Sequence, residues 1–341
     1  MPIKRVQEAI EAIKRGEMVI MCDDEDRENE GDLVYAATFS TPEKVNFLAS
    51  EAKGLICVAL EKETAKKLEL NPMVPQNTSS YETAFTVSVD AKDASTGISA
   101  FERDMTIKLL ADPYTKPDDL VRPGHIFPLI AKDGGVLNRI GHTEGSVDLC
   151  KLAGLAPAGV ICEIMKQDGS MMRRDDLDVF AKKHDLKMVY ISDLIEYRMQ
   201  RESLIKETLR EEISFFGKTV EKIDFVDHLK RTHTVICFGN VTPHANVKFH
   251  NICKDVSFLQ NEEQYNGVLK AIEYLKENGG ILVFMDNTMV NDTAIKEFGI
   301  GAQILTALGV EKINLIATKK LKELHGLGGF NLAIEDEIIL K

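Results

Sequence analysis

The sequence predicts an α+β chain of two mixed α/β domains that meet near residue 200. Short apolar runs of strand character alternate with segments of helical spacing along the chain. A polar stretch, DLIEYRMQRESLIKETLREEISF (193–215), holds neither Gly nor Pro and separates two such regions. The length of 341 residues suits two domains of about 100–200 residues each. Helices mixed with short alternating strands argue against a simple doubly wound sheet.

Taken in order, Val6, Ala9, Ile10 and Ile13 recur at helical spacing over 5–15, and Gly16 is the C-cap. MVIMC (18–22) reads as a buried strand and LVYAATF (33–39) as a second, so DDEDRENEGD (23–32) is a loop between them. Thr41 caps a helix with Pro42 at its first position and Val45, Leu48 and Ala49 behind. GLICVAL (54–60) is a strand, and FTVSVD (85–90) alternates as a half-buried strand does. Four prolines within 112–128 exclude a regular helix. GVICEIM (159–165) and MVYIS (188–192) read as strands around a helix at Asp175–Lys183. The stretch 193–215 reads as a helical interdomain connector. Beyond it, THTVICFGNV (232–241), GGILVFMD (279–286) and KINLIA (312–317) are strands, and IGAQILTALGV (300–310) is a helix ending at Gly309.

Composition narrows the function. The chain is 44% hydrophobic and 28% charged, as folded soluble proteins are. Its 42 Lys+Arg against 54 Asp+Glu leave a net charge of -12, which disfavours general binding of a nucleic-acid backbone. No apolar run approaches the ~20 residues of a membrane span, and MPIKRVQEAIEAIKRGE reads as a charged amphipathic helix, not a signal peptide. Cysteines 22, 57, 150, 162, 237 and 253 form no Cys-x-x-Cys pair, the pattern of free thiols in a reducing cytoplasm.

The segment 23–32 packs seven carboxylates and one Arg into ten residues. Such crowding is costly without positive charge among it, and a divalent cation with oxygen ligands is the natural partner. A solvated acidic turn is the plain alternative, but the run is clamped between two strands and carries Arg27 and Gly31. It is not an EF-hand: with Gly31 at position six, position twelve is Ala37 rather than Glu. In RIGHTEG (139–145), Arg139 can pair with a phosphate, His142 can bind a metal, and Thr143 can cap the following helix; an ordinary capped helix with a surface His fits equally well. RPGHIFP (122–128) sets His125 in a proline-bracketed turn. Glu163 interrupts an apolar strand, where it must meet a cation, hold a raised pKa or face water from an edge. STGISAFERDMTI (95–107) offers hydroxyls and helix N–H groups for a phosphate or sugar, or simply a capped helix.

In this order, DDEDRENEGD, NTSSYETAFTVSVD, STGISAFER, RPGHIFPL, RIGHTE and PAGVICEI resemble the 3,4-dihydroxy-2-butanone 4-phosphate synthase family over roughly 3–200. The resemblance implies a lyase domain at 1–200 that turns D-ribulose 5-phosphate into L-3,4-dihydroxy-2-butanone 4-phosphate and formate for riboflavin biosynthesis. It implies Mg²⁺ or Mn²⁺ as cofactor and a cytoplasmic homodimer, with no nucleic-acid or membrane partner. It further implies Glu28 and His142 as metal ligands, Arg27, Asp32, Arg139 and Thr143 as substrate-binding residues, and His125, Glu163 and Glu30 as the catalytic set. A hard cation gripping adjacent carbonyl and hydroxyl oxygens acts as a Lewis acid while carboxylates move protons.

The second domain, 205–341, resembles GTP cyclohydrolase II through GGILVF, FGIGAQILTALGV and NLIATKK. That family binds zinc with three Cys. Here Cys253 matches the first, and LQNEEQ stands where Cys-x-Cys belongs; one thiolate cannot build a catalytic zinc site. MDNTMVND replaces the family's Gln-Glu-Gly-Arg-Gly-Ile-Gly-Leu, and Ala294, Lys296 and Phe298 replace its Asp-x-Arg-x-Tyr. The expectation is a domain without zinc that does not hydrolyse GTP. The alternatives are a truly bifunctional enzyme, a regulatory or interaction module, and a scaffold in which both domains have decayed.

Overall fold

Val6, Ala9, Ile10 and Ile13 line the buried face of α1 (Pro2–Lys14), as their spacing requires. A computed structural model describes residues 2–24, 27–81, 83–286, 294–318 and 332–340. Within it the chain divides into two units, Met1–Tyr197 and Arg198–Lys341.

The first unit continues with β1 (Val19–Cys22), β2 (Gly31–Ala36), α2 (Pro42–Phe47), β3 (Cys57–Leu60), α3 (Lys62–Lys67) and β4 (Val89–Ala91). It is completed by α4 (Ala100–Ala111), β5 (Leu120–Ile130), α5 (His142–Leu152), β6 (Ala158–Glu163), α6 (Arg174–His184) and β7 (Lys187–Tyr190); α7 (Ile191–Arg201) crosses the division. The strands form one mixed sheet in the order β4-β5-β3-β6-β2-β1-β7. Every residue of β1, β2 and β3 is buried, which explains their continuous apolar runs. Successive side chains alternate between faces. Ile20 and Cys22 join the core with Tyr35, Leu48, Val58, Ile107 and Val160, while Met21 lies against Gly145 of α5, where a Cβ would come within 2.5 Å of its sulfur. Each large aliphatic side chain so buried contributes about 1.5–3 kcal/mol.

The second unit contains β8 (Ile205–Phe215), β9 (Lys218–Asp227), β10 (Thr232–Phe238), β11 (His244–Asn251), α8 (Asp255–Gln260) and α9 (Glu262–Asn278). Then come β12 (Gly280–Met285), α10 (Ala294–Ala307), β13 (Lys312–Ala317) and β14 (Ala333–Ile339). Its sheet order is β14-β13-β11-β12-β10-β9-β8. Val268, Ala271, Ile272 and Leu275 of α9 close its core over Ile236, Leu282 and Ile316.

Four local expectations change. The stretch 193–215 is helical only through Arg201; residues 205–215 are the edge strand β8. Its side chains are mostly exposed, so no apolar period marks it, and its charges protect an open edge. Phe215 pairs with Lys218, and Phe216 (φ 48°) with Gly217 (φ 76°) makes the tight two-residue turn whose residues both need positive φ. Along 85–90, Thr86 and Ser88 are buried while Phe85 and Val87 are only partly so, and just Val89–Ala91 form a strand. His125 lies on β5 rather than in a turn. The strand expected at 33–39 runs from Gly31 to Ala36 and so takes Asp32 out of the loop. Among the described residues no helix is long and apolar enough to cross a membrane. Glu25 and Asp26 of the acidic loop, Glu82, and 287–293 with the matched motif position they carry lie outside the described residues.

Candidate active site

Cys22 pairs with Gly31 across β1 and β2, so residues 23–30 form a long hairpin loop at the end of two buried strands. Asp23 anchors it. One carboxylate oxygen accepts from the Glu30 N–H (2.8 Å); the other accepts from the Glu28 N–H (3.0 Å) and from Arg27 Nη1 (2.8 Å). Arg173, arriving just before α6, donates to the carbonyls of Glu28 and Asn29, each at 2.5 Å. Two guanidinium groups thus supply part of the positive charge that the crowded carboxylates demand.

Glu28 is left pointing at α5. Its Oε2 lies 3.7 Å from Nδ1 of His142, the first residue of that helix, and Asp32 Oδ1 lies 3.9 Å from the same nitrogen. Asp32 and His142 are 3% and 6% exposed. Asp32 Oδ1 and His142 Nε2 have no hydrogen-bond partner among the described residues, and buried polar atoms rarely stay so. One ligand atom each of Asp23, Glu28 and His142 also lie within 4.8 Å of one another. Ligands of a hard divalent cation at about 2.0–2.6 Å stand roughly 3–5 Å apart around it. The donor types and spacings therefore fit such an ion. The Asp23 oxygens are spent on the loop and Glu28 Oε2 also accepts from Arg27 Nη1 at 2.6 Å, so Asp32 Oδ1 and His142 Nε2 are the unpartnered atoms of the cluster among the described residues.

The charges agree. Burial pushes the Asp32 carboxyl up, reinforced by Glu163 and Glu28 and opposed by His142. Burial alone would lower the His142 imidazole, but Asp32 and Glu28 raise it above its ordinary value. Burial likewise works against the Glu28 carboxylate, yet its bond to His142 and the Arg27 charge hold it below the usual range. Burial and the Glu28 charge raise Glu30, whose carboxylate lies 3.7 Å from Arg173.

Glu163 ends β6 directly opposite Asp32 in the β2–β6 register. β6 lies between β3 and β2, so Glu163 is not on an edge. Its Oε2 accepts from the Leu55 N–H at 2.8 Å, and Gly54 makes room: a Cβ there would lie 2.3 Å from the Glu163 carbonyl oxygen.

Arg139 is fixed by Glu144, a buried residue of α5, at 2.6 Å, and donates to the Tyr81 carbonyl at 2.9 Å. Tyr81 bonds the Arg27 carbonyl (3.1 Å), and the Arg27 guanidinium stacks 5.0 Å from its ring centre. Tyr81 thereby ties both arginines together. Thr143 does not cap α5. The cap is Gly141, where a Cβ would meet Arg139 Nη1 at 2.3 Å, and Thr143 is buried in the first turn beside His142.

His125 belongs to a second group. Its Nδ1 lies 2.7 Å from Asp90 Oδ2, and its backbone N–H donates to Asp90 Oδ1 at 2.8 Å. Gly97 closes over this pair, since a Cβ there would lie 2.0 Å from the Asp90 carboxylate. No hydrogen bond or ion pair among the described residues joins His125 to the Glu28 cluster. The hydroxyls of Thr96 and Ser99 are taken up: with the N–H groups of Ser95 and Thr96 they bond the Glu102 carboxylate and drive it down to about 2.

Asp23, Tyr81, Asp90, Glu144 and Arg173 were not singled out from sequence. Four of them lie within or at the end of quoted motifs; Arg173 carries no local signal. The thiols of Cys22, Cys57, Cys150 and Cys162 are all pushed up by burial, so none is an activated nucleophile.

Carboxylates, the His142 imidazole and fixed guanidiniums around a place for a hard cation fit an enzyme of acid–base chemistry on a small polar molecule. Residues 7–197 match the family profile of 3,4-dihydroxy-2-butanone 4-phosphate synthase, and residues 287–339 that of GTP cyclohydrolase II. The chain belongs to the 3,4-dihydroxy-2-butanone 4-phosphate synthase family, as a lyase of riboflavin biosynthesis. A relative of that name from Wolinella succinogenes is 58% identical over 341 residues, covering 100% of this chain and 98% of the relative. The crystal structure of RibBX, a two-domain 3,4-dihydroxy-2-butanone 4-phosphate synthase from A. baumannii, superposes with a TM-score of 0.84 at 39% identity, covering 97% of this chain and 98% of the other. A 3,4-dihydroxy-2-butanone 4-phosphate synthase in complex with two magnesium ions is 41% identical, with a TM-score of 0.56, and covers 57% of this chain and 97% of its own.

Proposed function

We propose that the first unit converts D-ribulose 5-phosphate into L-3,4-dihydroxy-2-butanone 4-phosphate and formate, with Mg²⁺ or Mn²⁺ held by Glu28 and His142. The supporting observation is the convergence of Glu28 Oε2 and Asp32 Oδ1 on the His142 imidazole at 3.7 and 3.9 Å, with unpartnered buried atoms on Asp32 and His142. The bound ion supplies Lewis acidity to neighbouring carbonyl and hydroxyl oxygens of the sugar. Asp32 and Arg27 orient those oxygens. Arg139, braced by Glu144, takes the phosphate with Thr143. Glu163, Glu30 and His125 move protons, and Asp90 holds His125 in one orientation. The working form is a cytoplasmic homodimer.

The second unit, 205–341, does not hydrolyse GTP in this proposal: Cys253 stands without the Cys-x-Cys of the zinc enzymes. The test mixes purified protein with ribulose 5-phosphate and Mg²⁺ and measures formate. EDTA, Glu28→Ala and His142→Ala should each nearly abolish it; formate indifferent to EDTA would refute the metal role. Incubation with GTP and Zn²⁺ should release no pyrophosphate.

A further inference from the structure

The second unit contains a cavity of 490 Å³ where β11, β12 and β13 end beneath the first turns of α9. The three strands are parallel. The chain passes from β11 to β12 on one side and returns past β11 to β13, so its direction reverses at β11. Crevices at such a reversal, outside the C-terminal ends of parallel strands, are where open α/β sheets bind ligands. The volume lies in the range of small-molecule sites.

Alternation along β11 sorts its side chains. Phe249 packs toward Gly301 of α10, where a Cβ would lie 2.7 Å from its ring. Lys248 and His250 therefore share the opposite face, and all three residues line the cavity. His250 is 8% exposed, with its ring edge-on to Phe258 and Phe284 at 5.1 and 5.5 Å. Neither Lys248 nor His250 makes a hydrogen bond or ion pair with a described residue. Burial lowers both below their ordinary pKa values, and the Lys248 charge lowers His250 further. A half-buried ammonium without a counter-charge is costly. The remaining wall is apolar at Val268, Met285 and Ile316, with the amides of Asn261 and Gln264 at the mouth. Among the described lining residues Lys248 is the one Lys or Arg, and Glu263 on the first turn of α9 adds a negative charge, so a ligand with one negative charge suits the site better than a dianion.

We propose that this cavity binds a small organic monoanion, whose charged group pairs with Lys248 and whose apolar body lies on Val268, Met285 and Ile316. This site lies in the second unit, and the inference does not rest on the reading given for the lyase centre. The test uses full-length protein and 8-anilinonaphthalene-1-sulfonate, an apolar monoanion whose fluorescence rises on binding. Wild type should bind it saturably at one site. Lys248→Met should weaken binding at least tenfold, Lys248→Arg should retain it, and Gln264→Trp should block it at the mouth, with far-UV circular dichroism unchanged in all three. N-phenyl-1-naphthylamine, which lacks the sulfonate, should bind at least tenfold more weakly and ignore Lys248→Met. Equal sulfonate affinity in wild type and Lys248→Met, loss in Lys248→Arg as large as in Lys248→Met, or equal affinity for the two probes would each overturn the assignment.

Discussion

Asp32 on β2 and Glu163 on β6 are direct cross-strand neighbours, so two carboxylates stand side by side at the centre of the first sheet. Opposed residues in such a pair have Cβ atoms about 4.5–5.5 Å apart. Like charges at that distance repel, and the Asp32 carboxyl is raised partly for this reason.

Glu163→Gln keeps the shape and the bond from the Leu55 N–H while removing one of these charges. Formate production should fall by about 10²–10⁴, the usual contribution of a general acid or base. Relief of repulsion should leave the melting temperature equal or higher. Activity within threefold of wild type would remove Glu163 from the proton transfers.

Metal binding should strengthen as pH rises. The folded protein holds protons on Asp32 and His142 above their ordinary ranges, and a cation must displace them. Calorimetric titration with Mg²⁺ in buffers of different ionisation enthalpy should show proton release. Affinity should increase through neutral pH and beyond, and a pH-independent affinity would contradict the ligand set.

Asp90→Asn should leave the fold intact but free the His125 ring. A reduction in kcat of about 100-fold, within the range of general acid–base catalysis, is expected with little change in KM and an altered pH profile. Gly97→Ala should act in the same direction, because its methyl would meet the Asp90 carboxylate. If kcat and its pH profile both match wild type, Asp90 is not positioning His125.

Asp227 is a stability element of the second unit. Its carboxylate accepts from Arg231 Nε at 2.7 Å and from the N–H groups of Leu229 and Arg231 at 2.9 Å, and lies 3.3 Å from His233. Burial alone would push the carboxyl up, but bonds from His233 and Arg231 hold it well below the usual range. A carboxylate so depressed contributes stability that is fully present above its unfolded pKa of about 4 and lost as pH falls toward the folded value. Asp227→Ala removes this carboxylate from the buried Arg231 and from the N–H groups it accepts from, and should cost about 3 kcal/mol at neutral pH. Urea titration should show that difference shrinking below about pH 4.

The sequence by itself determined most of the element types, the acidic loop between two strands and the residues proposed to carry the chemistry. Each is a local matter: the period of apolar residues, prolines, a cap at Thr41, and unusual charge in one short run. The tertiary structure alone decided which of those residues meet. Asp32 belongs to the buried strand because the β1–β2 register begins at Gly31, and that register sets it against Glu163 and His142. Residues 205–215 became an edge strand because β9 offered a partner, which no local helical preference reveals. Asp90, Tyr81 and Arg173 gained their roles from contacts 35 to 145 positions away. Such pairings depend on sheet register and packing, and a one-residue slip would turn every side chain of a strand to its other face.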